Sequence, residues 1–524
     1  MTHIKTLKHE DHSLTFKGIL YGSRSFEQVF KELQKTPIDS LEVFLNSLKG
    51  HFAFIYQSPH FTLCTVDKCR SYPIFYTKND TFRASFSPVD LLGDDYQINQ
   101  HQEQIFQQAG YTFGNETLIK DLYVLLAGEF IILEMGKDHY SKNQYFRLFP
   151  NTVDSSQKNF SDYKEDLKNV LLNIFKDVIH VANGREILIP LSAGYDSRLV
   201  LTILSHLGYK NIKTFSYGIR DNFESKVAEK LAHKLGYEWK FFETTSQSQR
   251  EYYKSPLHES YISYCNDYCS TPFQQDVAVI DQIKNSSWAA DDCIFINGNS
   301  GDFISGGHLL KTKSKNSHPE EELIHSYIQK HCALWDSFSI QEISPVYREE
   351  LEKSLSKVSR EMTPLTLALE QHELVNRQSK YVINGQRCYE FFGYDWLLPL
   401  WHDDIMEFFK EVPLEHKYDQ HLYKALLHEV NWGNVWTEIP VNKKEIKPDW
   451  IKPLRLALKV CFAPFGKSFW HKVEKKVFQY FLDLTRNFAV VGYWENLFSK
   501  NIARSHVSWH SHLYLKRVKD KTLK

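Results

Sequence analysis

Several features that mark membrane, secreted, metal-binding or P-loop proteins are absent from this sequence of 524 residues. No apolar run reaches the roughly 18 residues of a transmembrane helix, and the first residues, MTHIKTLKHEDHSLTF, contain no apolar signal core. The eight cysteines include no CxxC pair, so neither a zinc knuckle nor a redox dithiol is indicated. Before Gly466-Lys467-Ser468, Cys461 occupies the place of the first glycine of a Walker loop. We therefore expect a cytoplasmic protein whose cysteines are buried apolar residues.

Charge is balanced over the whole sequence but not along it. The formal net charge is −1 at pH 7, yet residues 441–524 contain 18 lysines and arginines against 6 aspartates and glutamates. The same region is rich in large apolar residues, which a purely solvated tail does not need. We predict a basic helical tail, residues 447–524, that packs partly on the rest of the protein and presents cations to an anionic membrane or a lipid-linked substrate. No feature predicts binding to nucleic acid.

A chain of this length is expected to form two or three domains. Residues 1–150 contain short apolar segments separated by turns, including a hairpin turn at Ser58 and a strand at 129–135, which predicts a layered α+β domain. After a polar linker at 151–159, strands alternate with helices through residues 160–446, as in a doubly wound parallel sheet. The predicted strands of this α/β domain are 186–191, 211–218, 238–243 and 293–297.

The segment Ser192-Ala193-Gly194-Tyr195-Asp196-Ser197, between the first of these strands and a helix, is suited to holding phosphates. A helix N-terminus presents free N–H groups and positive potential. The hydroxyls of Ser192 and Ser197 add donors, and Gly194 lets the backbone approach a phosphate closely. Asp196 can hold Mg²⁺ against the phosphates. The alternative interpretation is a plain strand-to-helix turn capped by Ser192 or Asp196.

This loop resembles the SGGxDS signature of the ATP pyrophosphatase superfamily, with Ala193 in place of the first glycine. Further segments resemble the asparagine synthetase B family of ATP-dependent amide-forming enzymes in order and spacing. These segments are residues 48–76, 114–146, 297–307, 395–403 and 424–427. The resemblance implies a glutaminase-like first domain of the nucleophile-hydrolase type, an ATP pyrophosphatase domain of the adenine nucleotide α-hydrolase type, and ATP with Mg²⁺.

The resemblance also implies roles for single residues. Asp302 falls on a second metal-binding aspartate that acts with Asp196. Lys424 falls on a lysine that neutralises charge developing during adenylation and acyl transfer, with Lys417 as a second candidate. Asp395 falls on a glutamate near the pyrophosphate and the incoming amine. The nucleotide-binding positions are Leu191, Ser192, Ala193, Gly194, Asp196, Ser197, Ser216 and Gly298.

Polar residues in the segment 377–396 are spaced for one wall of a substrate pocket. The candidates are Arg377, Gln378, Asn384 and Arg387. A solvated helix face is the alternative interpretation of the same pattern.

Glutamine-hydrolysing members of this family use an amino-terminal cysteine, exposed by removal of the initiator methionine, as nucleophile. Thr2 occupies that position here, and the first cysteine is Cys64. We expect an inactive first domain kept as a scaffold, although Thr2 could in principle act as a nucleophile. The nitrogen would then come from ammonia or from an amine on a substrate.

The resemblance implies a ligase that activates a carboxylate as its AMP ester, releases pyrophosphate and passes the acyl group to nitrogen. Our preferred substrate is a uronic acid, small or sugar-linked, of a bacterial surface polysaccharide. Aspartate, intramolecular amide closure and a nucleotide-binding pseudoenzyme are the alternatives. Local residue chemistry by itself supports only ATP and metal binding, and the oligomeric state cannot be inferred from the sequence.

Overall fold

The structure of the protein is a computed structural model. It describes residues 4–78, 81–93, 95–137, 139–149, 158–311, 319–336, 340–355, 365–441, 446 and 448–523. Thr2 and most of the predicted linker at 151–159 lie outside these residues.

The described residues form strands and helices in the following order along the chain. The strands are β1 Lys5–His9, β2 His12–Leu20, β3 Gly50–Gln57, β4 Phe61–Val66, β5 Phe75–Thr77, β6 Arg83–Ser85, β7 Tyr123–Val124, β8 Glu129–Glu134, β9 Ser141–Gln144, β10 Ile187–Pro190, β11 Ile212–Gly218, β12 Glu238–Glu243, β13 Ile294–Ile296 and β14 Asp395–Leu397. The helices are α1 Phe26–Leu33, α2 Leu41–Ser47, α3 Gln100–Ala109, α4 Phe160–Ala182, α5 Tyr195–His206, α6 Phe223–Leu235, α7 Ser246–Tyr253, α8 Pro256–Tyr264, α9 Val277–Asn285, α10 Gly301–Ile304, α11 Pro319–His331, α12 Ile340–Leu355, α13 Leu365–Glu373, α14 Arg387–Phe391, α15 Asp403–Glu411, α16 Leu414–Lys417, α17 His421–Val430, α18 Ile451–Phe462, α19 Gly466–Leu482, α20 Tyr493–Phe498 and α21 His506–Lys519.

The first part of the chain is built on two antiparallel sheets. The larger sheet has the order β1-β2-β3-β4-β8-β9, and the smaller has the order β6-β5-β7. Strands β3 and β4 form the hairpin predicted at Ser58, with Gln57 opposite Thr62. Because β3 is buried along most of its length, both faces of this sheet are covered at its centre. The predicted strand-and-turn character is confirmed, whereas the nucleophile-hydrolase type stays a prediction.

The second sheet is parallel and has the order β12-β11-β10-β13-β14. Four of its strands are those predicted from the alternation of strands and helices. The fifth, β14, has only three residues, too few to show a periodic pattern. The strand order reverses between β10 and β13, and ligands of such sheets bind beyond the carboxyl ends of the strands at this switch point.

Helix α4 brings the chain to this sheet. Asn159 caps it by accepting hydrogen bonds from the N–H groups of Ser161 and Asp162, and Asn183 ends it in the left-handed conformation, with φ of 47°. The central strand β10 follows, and its residues Ile187, Leu188 and Ile189 are fully buried. A continuous apolar segment is typical of a parallel strand covered on both faces.

Buried polar contacts join the two sheet-containing parts. The Lys17 ammonium lies 2.6 Å from a Glu390 carboxylate oxygen, and both side chains are largely buried. The Gly50 N–H donates to the Asp403 carboxylate over 2.9 Å. Such contacts tolerate little displacement, because an unpaired buried charge is costly. The first part therefore has a defined position against α14 and α15.

The tail contributes α18 to α21. Helix α21 packs on the main core through Tyr514, Leu515 and Val518. None of the helices formed by the described residues combines the length and apolar character that crossing a bilayer requires.

Candidate active site

The loop predicted to hold phosphates lies at the switch point, between β10 and α5. The Ser192 N–H donates to Ser197 Oγ over 3.1 Å, and the Gly194 N–H donates to Ser192 Oγ over 3.2 Å. Gly194 precedes the first residue of α5. These bonds curve the loop around the amino end of α5, where free N–H groups and the helix dipole favour an anion.

The turn after β13 packs directly against this loop. A Cβ atom at Gly298 would lie 2.6 Å from the Asp196 carbonyl carbon, and one at Gly301 would lie 2.5 Å from Asp196 Oδ1. Both positions therefore need glycine for close approach. The approach lets the Asp302 N–H donate to Asp196 Oδ2 over 3.0 Å. The two aspartates predicted to share a metal are thus brought together.

Asp196 and Asp302 differ in their surroundings. Asp196 accepts a hydrogen bond from the Tyr423 hydroxyl over 3.0 Å. Loss of solvent, with repulsion from Asp302, raises the pKa of Asp196 to about 7. Burial opposes ionisation of Asp302 too, but a hydrogen bond from His308 lowers its pKa below the usual value. The negative charge of Asp302 disfavours the ionised form of Asp196. A divalent cation with oxygen ligands would relieve this repulsion, so the pair suits such a cation.

His308 connects the carboxylate pair to a second acid. Its Nε2 lies 3.2 Å from Asp302 Oδ2 and its Nδ1 lies 2.6 Å from Glu373 Oε1. Burial alone would lower the pKa of His308, but these two carboxylates raise it to about 9. Glu373 is also contacted by Gln378 over 2.9 Å and by the Arg377 guanidinium over 3.4 Å. The imidazolium is therefore a fixed positive charge beside the predicted metal site.

These groups line a cleft of about 790 Å³, within the size range of small-molecule sites. Its phosphate side is formed by the loop and by the turn Asn297–Ser300. Its other lining residues include Phe215, Ser216, Tyr217, Asn222, Glu224, Ser225, Phe273, Gln275, Asp276, Arg377 and Gln378. Arg377 and Gln378 belong to a π-helical segment, Leu374–Val382, a conformation frequent at functional sites.

The tail forms part of the same cleft. Leu482, Asp483, Leu484, Thr485 and His506 are lining residues. The Ile219 N–H donates to the Leu484 carbonyl over 2.9 Å, which fixes the tail beside the end of β11. Ile219 belongs to the predicted α/β domain, residues 160–446, whereas Leu484 belongs to the predicted tail.

The comparison with protein families decides the assignment. The model of the asparagine synthase family matches residues 178–447, just over half of the chain. The chain belongs to the asparagine synthase family. The matched segment runs from the last turn of α4 to beyond α17 and contains both aspartates of the site. The protein is accordingly an ATP-dependent carbon–nitrogen ligase of the amide-forming kind.

Solved structures add little to the family assignment. Similar chains are the NH3-dependent NAD synthetase from Campylobacter jejuni subsp. jejuni in complex with the nitrate ion (14% identity, 44% of this chain and 96% of that chain, TM-score 0.22), the allosteric regulatory enzyme of purine biosynthesis (12%, 61% and 75%, TM-score 0.20) and glutamine phosphoribosylpyrophosphate amidotransferase from B. subtilis complexed with ADP and GMP (11%, 58% and 60%, TM-score 0.17). TM-scores this far below 0.5 carry no argument about the site. A search of curated proteins gave no match.

Most of the predicted nucleotide-binding residues of this asparagine synthase family member lie on the cleft. The lining residues include Leu191, Ser192, Gly194, Asp196, Ser197, Ser216, Gly298 and Asp302. Ala193 is buried instead, and its carbonyl accepts a hydrogen bond from Arg198 over 3.4 Å. Ser216 Oγ donates to the Leu191 carbonyl over 2.6 Å, so its hydroxyl proton is already used within the protein.

Lys424 lies beside the phosphate loop. It follows Tyr423 on α17, its ammonium donates to the Asp419 carbonyl over 2.8 Å, and it lies 5.7 Å from the ring centre of Tyr195. The second candidate, Lys417, is buried and ion-paired with Glu370 over 2.8 Å. Lys417 therefore has a structural contact, and Lys424 keeps the predicted role as a proposal.

Asp395 is not among the residues that line the cleft, and its predicted role near the pyrophosphate stays a prediction. Asp395 is the first residue of β14 and lies opposite Ile294, the first residue of β13. Its carboxylate accepts a hydrogen bond from Arg185, which precedes β10, over 2.7 Å. Asp395 thus lies at the amino edge of the sheet, roughly 7 Å along the strand from Leu397 at the carboxyl edge. The spacing of a motif does not show at which end of a short strand an acid lies.

Two of the four predicted wall residues reach the cleft, and two do not. Arg377 and Gln378 line it. Arg387 instead donates to the Tyr264 carbonyl over 3.1 Å, and Asn384 lies near the Ser270 hydroxyl. The π-helical segment ends before both of them, so the chain turns away from the cleft at this point.

The sequence-based reasoning missed His308, Glu373, Tyr423 and the tail residues of the cleft. His308 directly follows Gly306 and Gly307 of the recognised turn, so its neighbourhood could have been found. Glu373 is 65 residues farther along the chain, on a helix with no motif of its own. Only the tertiary structure brings these two side chains together.

Proposed function

We propose that this protein adenylates a carboxylate at the cleft between the Ser192–Ser197 loop and the Asn297–Asp302 turn, and then passes the acyl group to ammonia or an amine. The convergence of Asp196 and Asp302 above a helix N-terminus carries the proposal. Asp196 and Asp302 would hold Mg²⁺, which would neutralise phosphate charge. The loop N–H groups would bind the phosphates.

Cations of the chain itself support a reaction that develops negative charge. Lys424 lies beside Tyr195 at the edge of the loop, where its ammonium would neutralise charge on the leaving pyrophosphate. His308, held by Asp302 and Glu373, adds a second positive charge on the other side of the carboxylate pair. Charges fixed in this way require no rearrangement during the reaction.

The nucleotide base would bind at the other end of the cleft. The end of β11 and the tail residues Leu482–Thr485, which are joined by a hydrogen bond, line this region. The half-buried tail residue Leu484 offers apolar surface for a planar base. This placement leaves the π-helical segment for the acceptor.

We propose a uronic acid of a bacterial surface polysaccharide as the carboxylate. The lining residues Gln275 and Arg377 present an amide and a guanidinium group that suit sugar hydroxyls and a carboxylate. Asp276 accepts hydrogen bonds from the Tyr217 and Tyr389 hydroxyls. Its carboxylate is thus already engaged, which favours an acid rich in hydroxyls over one that carries an ammonium group.

A pyrophosphate-release assay tests the proposal. Purified protein with ATP, Mg²⁺ and ammonium should release pyrophosphate and AMP when a nucleotide-linked uronic acid is added, and less with aspartate. Asp196→Asn should abolish release without unfolding the protein. Asp39→Asn, at an exposed residue that does not line the cleft, is the matched control. Turnover with aspartate but not with the uronic acid would make aspartate the substrate. Nucleotide binding without pyrophosphate release under any condition would support a pseudoenzyme.

A further inference from the structure

Helices α18 and α19 form a hairpin with a small apolar cluster of its own. Ala463–Phe465 joins the two helices. Ile451, Trp470 and Phe478 are buried in this cluster, and Leu458 and Phe462 pack against them. On α18, the inward residues Ile451, Leu458 and Phe462 follow the spacing of one helix face.

The opposite face of α18 is apolar as well, although it is exposed. Its exposed residues are Pro453, Leu454, Leu456, Ala457, Val460 and Cys461. Leu456 is 63% exposed and Val460 is 67% exposed. A helix of a soluble protein normally carries polar residues on its outward face, so an uncovered apolar face of this kind marks an interaction surface.

The apolar surface continues around the tip of the hairpin. Phe465 is 66% exposed, and its ring lies 5.2 Å from that of Phe469, which is 42% exposed. Lys459 and Lys467 lie on either side of the tip and are exposed. Large apolar side chains flanked by lysines are typical of segments that lie in a membrane interface.

Charge identifies the partner. Residues 451–482 contain seven lysines and arginines and one glutamate. A second copy of the chain would bring two such basic hairpins together, and their like charges would repel each other. An anionic lipid surface complements both the cations and the apolar face, because lipid phosphates attract the lysines while the apolar side chains enter the interface.

We propose that the α18–α19 hairpin docks the protein on an anionic lipid bilayer. The exposed face of α18 and the tip would enter the headgroup region, and the lysines around them would contact lipid phosphates. With 12 and 17 residues, the two helices are shorter than the roughly 20 residues that span a bilayer. The hairpin therefore lies in the interface.

Docking would bring the cleft close to the membrane. Helix α19 ends at Leu482, and Leu482–Thr485 line the cleft. A carboxylate on a lipid-linked sugar would then reach the site without leaving the bilayer surface. This second step rests on the proposed function, whereas membrane binding by the hairpin does not.

Cys461 allows a direct measurement on the full-length protein. It is exposed on the apolar face, and the other seven cysteines, all among the described residues, are buried. A polarity-sensitive thiol dye on Cys461 should shift its emission to the blue when vesicles of phosphatidylcholine with phosphatidylglycerol are added. The labelled protein should float with these vesicles and not with phosphatidylcholine vesicles. Cys461→Ser gives the background labelling.

Variants distinguish the two contributions to binding. Leu456→Glu with Val460→Glu should abolish flotation, and Val43→Glu, at another exposed apolar residue, should leave it unchanged. Neutralising Lys459, Lys467 and Lys472 to glutamine should weaken binding on the order of 100-fold, about fivefold per lysine. The weakening should be smaller at high salt. These exposed changes should leave the circular dichroism spectrum unchanged.

Two results would overturn the proposal. One is that the Leu456→Glu, Val460→Glu variant floats with the vesicles as well as the parent protein does. The other is a protein that fails to bind vesicles and sediments as a dimer which the same variant dissociates, since a second copy would then cover the face. Neither readout depends on ATP turnover, so failure of the proposed reaction would not affect this test.

Discussion

Gly301→Ala tests whether the close approach of the turn to Asp196 matters for the site, because alanine should favour the helix but crowd the Asp196 carboxylate. Gly301 begins α10, where alanine should by propensity alone stabilise the helix by up to about 1 kcal/mol. The added Cβ, however, would lie 2.5 Å from Asp196 Oδ1 and 2.6 Å from Leu400 Cδ1. The two effects therefore have opposite signs.

The required displacement can be worked out from these distances. To reach ordinary contact at 3.4 Å, Asp196 Oδ1 must move by about 0.9 Å. Tyr423 and the Asp302 N–H hold this carboxylate, so the shift breaks contacts on both oxygens. Overpacking of this kind costs about 1–3 kcal/mol, and a displacement near 1 Å at a reacting centre costs about 100-fold in rate. The variant should fold but lose almost all pyrophosphate release.

The assay compares pyrophosphate release and urea unfolding of Gly301→Ala with those of Gly93→Ala. A Cβ at Gly93 would meet no described atom within 4 Å, so that variant should keep parental activity. Raising Mg²⁺ should restore part of the lost rate if the metal site is weakened rather than removed. Parental activity and Mg²⁺ dependence in Gly301→Ala would refute the assignment of Asp196 as a metal ligand.

Three further predictions follow from single contacts. The pKa of His308 is raised to about 9, so the imidazolium contributes fully to stability below about pH 6.5, and this contribution is lost as the pH rises through 9. In urea unfolding, His308→Gln should therefore lower the free energy of unfolding by up to about 3 kcal/mol at pH 6, and the difference should disappear by about pH 10. Glu390→Gln should cost about 3–5 kcal/mol in the same assay, because it leaves the Lys17 ammonium buried and unpaired, whereas Glu32→Gln, in an exposed pair, should cost less than about 1 kcal/mol. Glutamate release from glutamine should be undetectable in the parent and in Thr2→Ala; steady release that Thr2→Ala abolishes would show that the threonine is a nucleophile.

The sequence was most informative where the functional residues and the signals for the surrounding strand and helix lie in the same short segment. The loop around Asp196 and the turn around Asp302 each follow an apolar strand, so their elements and their approach could be predicted. Asp395 was assigned by motif spacing alone, and the length of β14 decides which edge of the sheet it occupies. His308 and Glu373 meet only through tertiary contacts, which no local pattern contains.

The tail shows a different limit. Its many apolar residues indicated packing, and α21 packs on the core, whereas Leu456, Phe465 and Phe469 are exposed. Three lysines lie close together on α19. Lys472 and Lys475 are exposed, whereas Lys476 donates to the Ser499 hydroxyl over 3.0 Å. Composition gives the charge of a segment but not the direction of each side chain. For the same reason, the sequence did not indicate that Leu482–Thr485 line the cleft.

Transfer of an oxygen isotope tests the central claim, adenylation of a carboxylate, most directly. A uronic acid labelled with ¹⁸O in its carboxylate is turned over with ATP and ammonium, and the AMP and pyrophosphate are examined by mass spectrometry. Attack of the carboxylate on the α-phosphorus followed by acyl transfer leaves one labelled oxygen in AMP and none in pyrophosphate. Unlabelled AMP formed together with the amide product would contradict adenylation of the carboxylate.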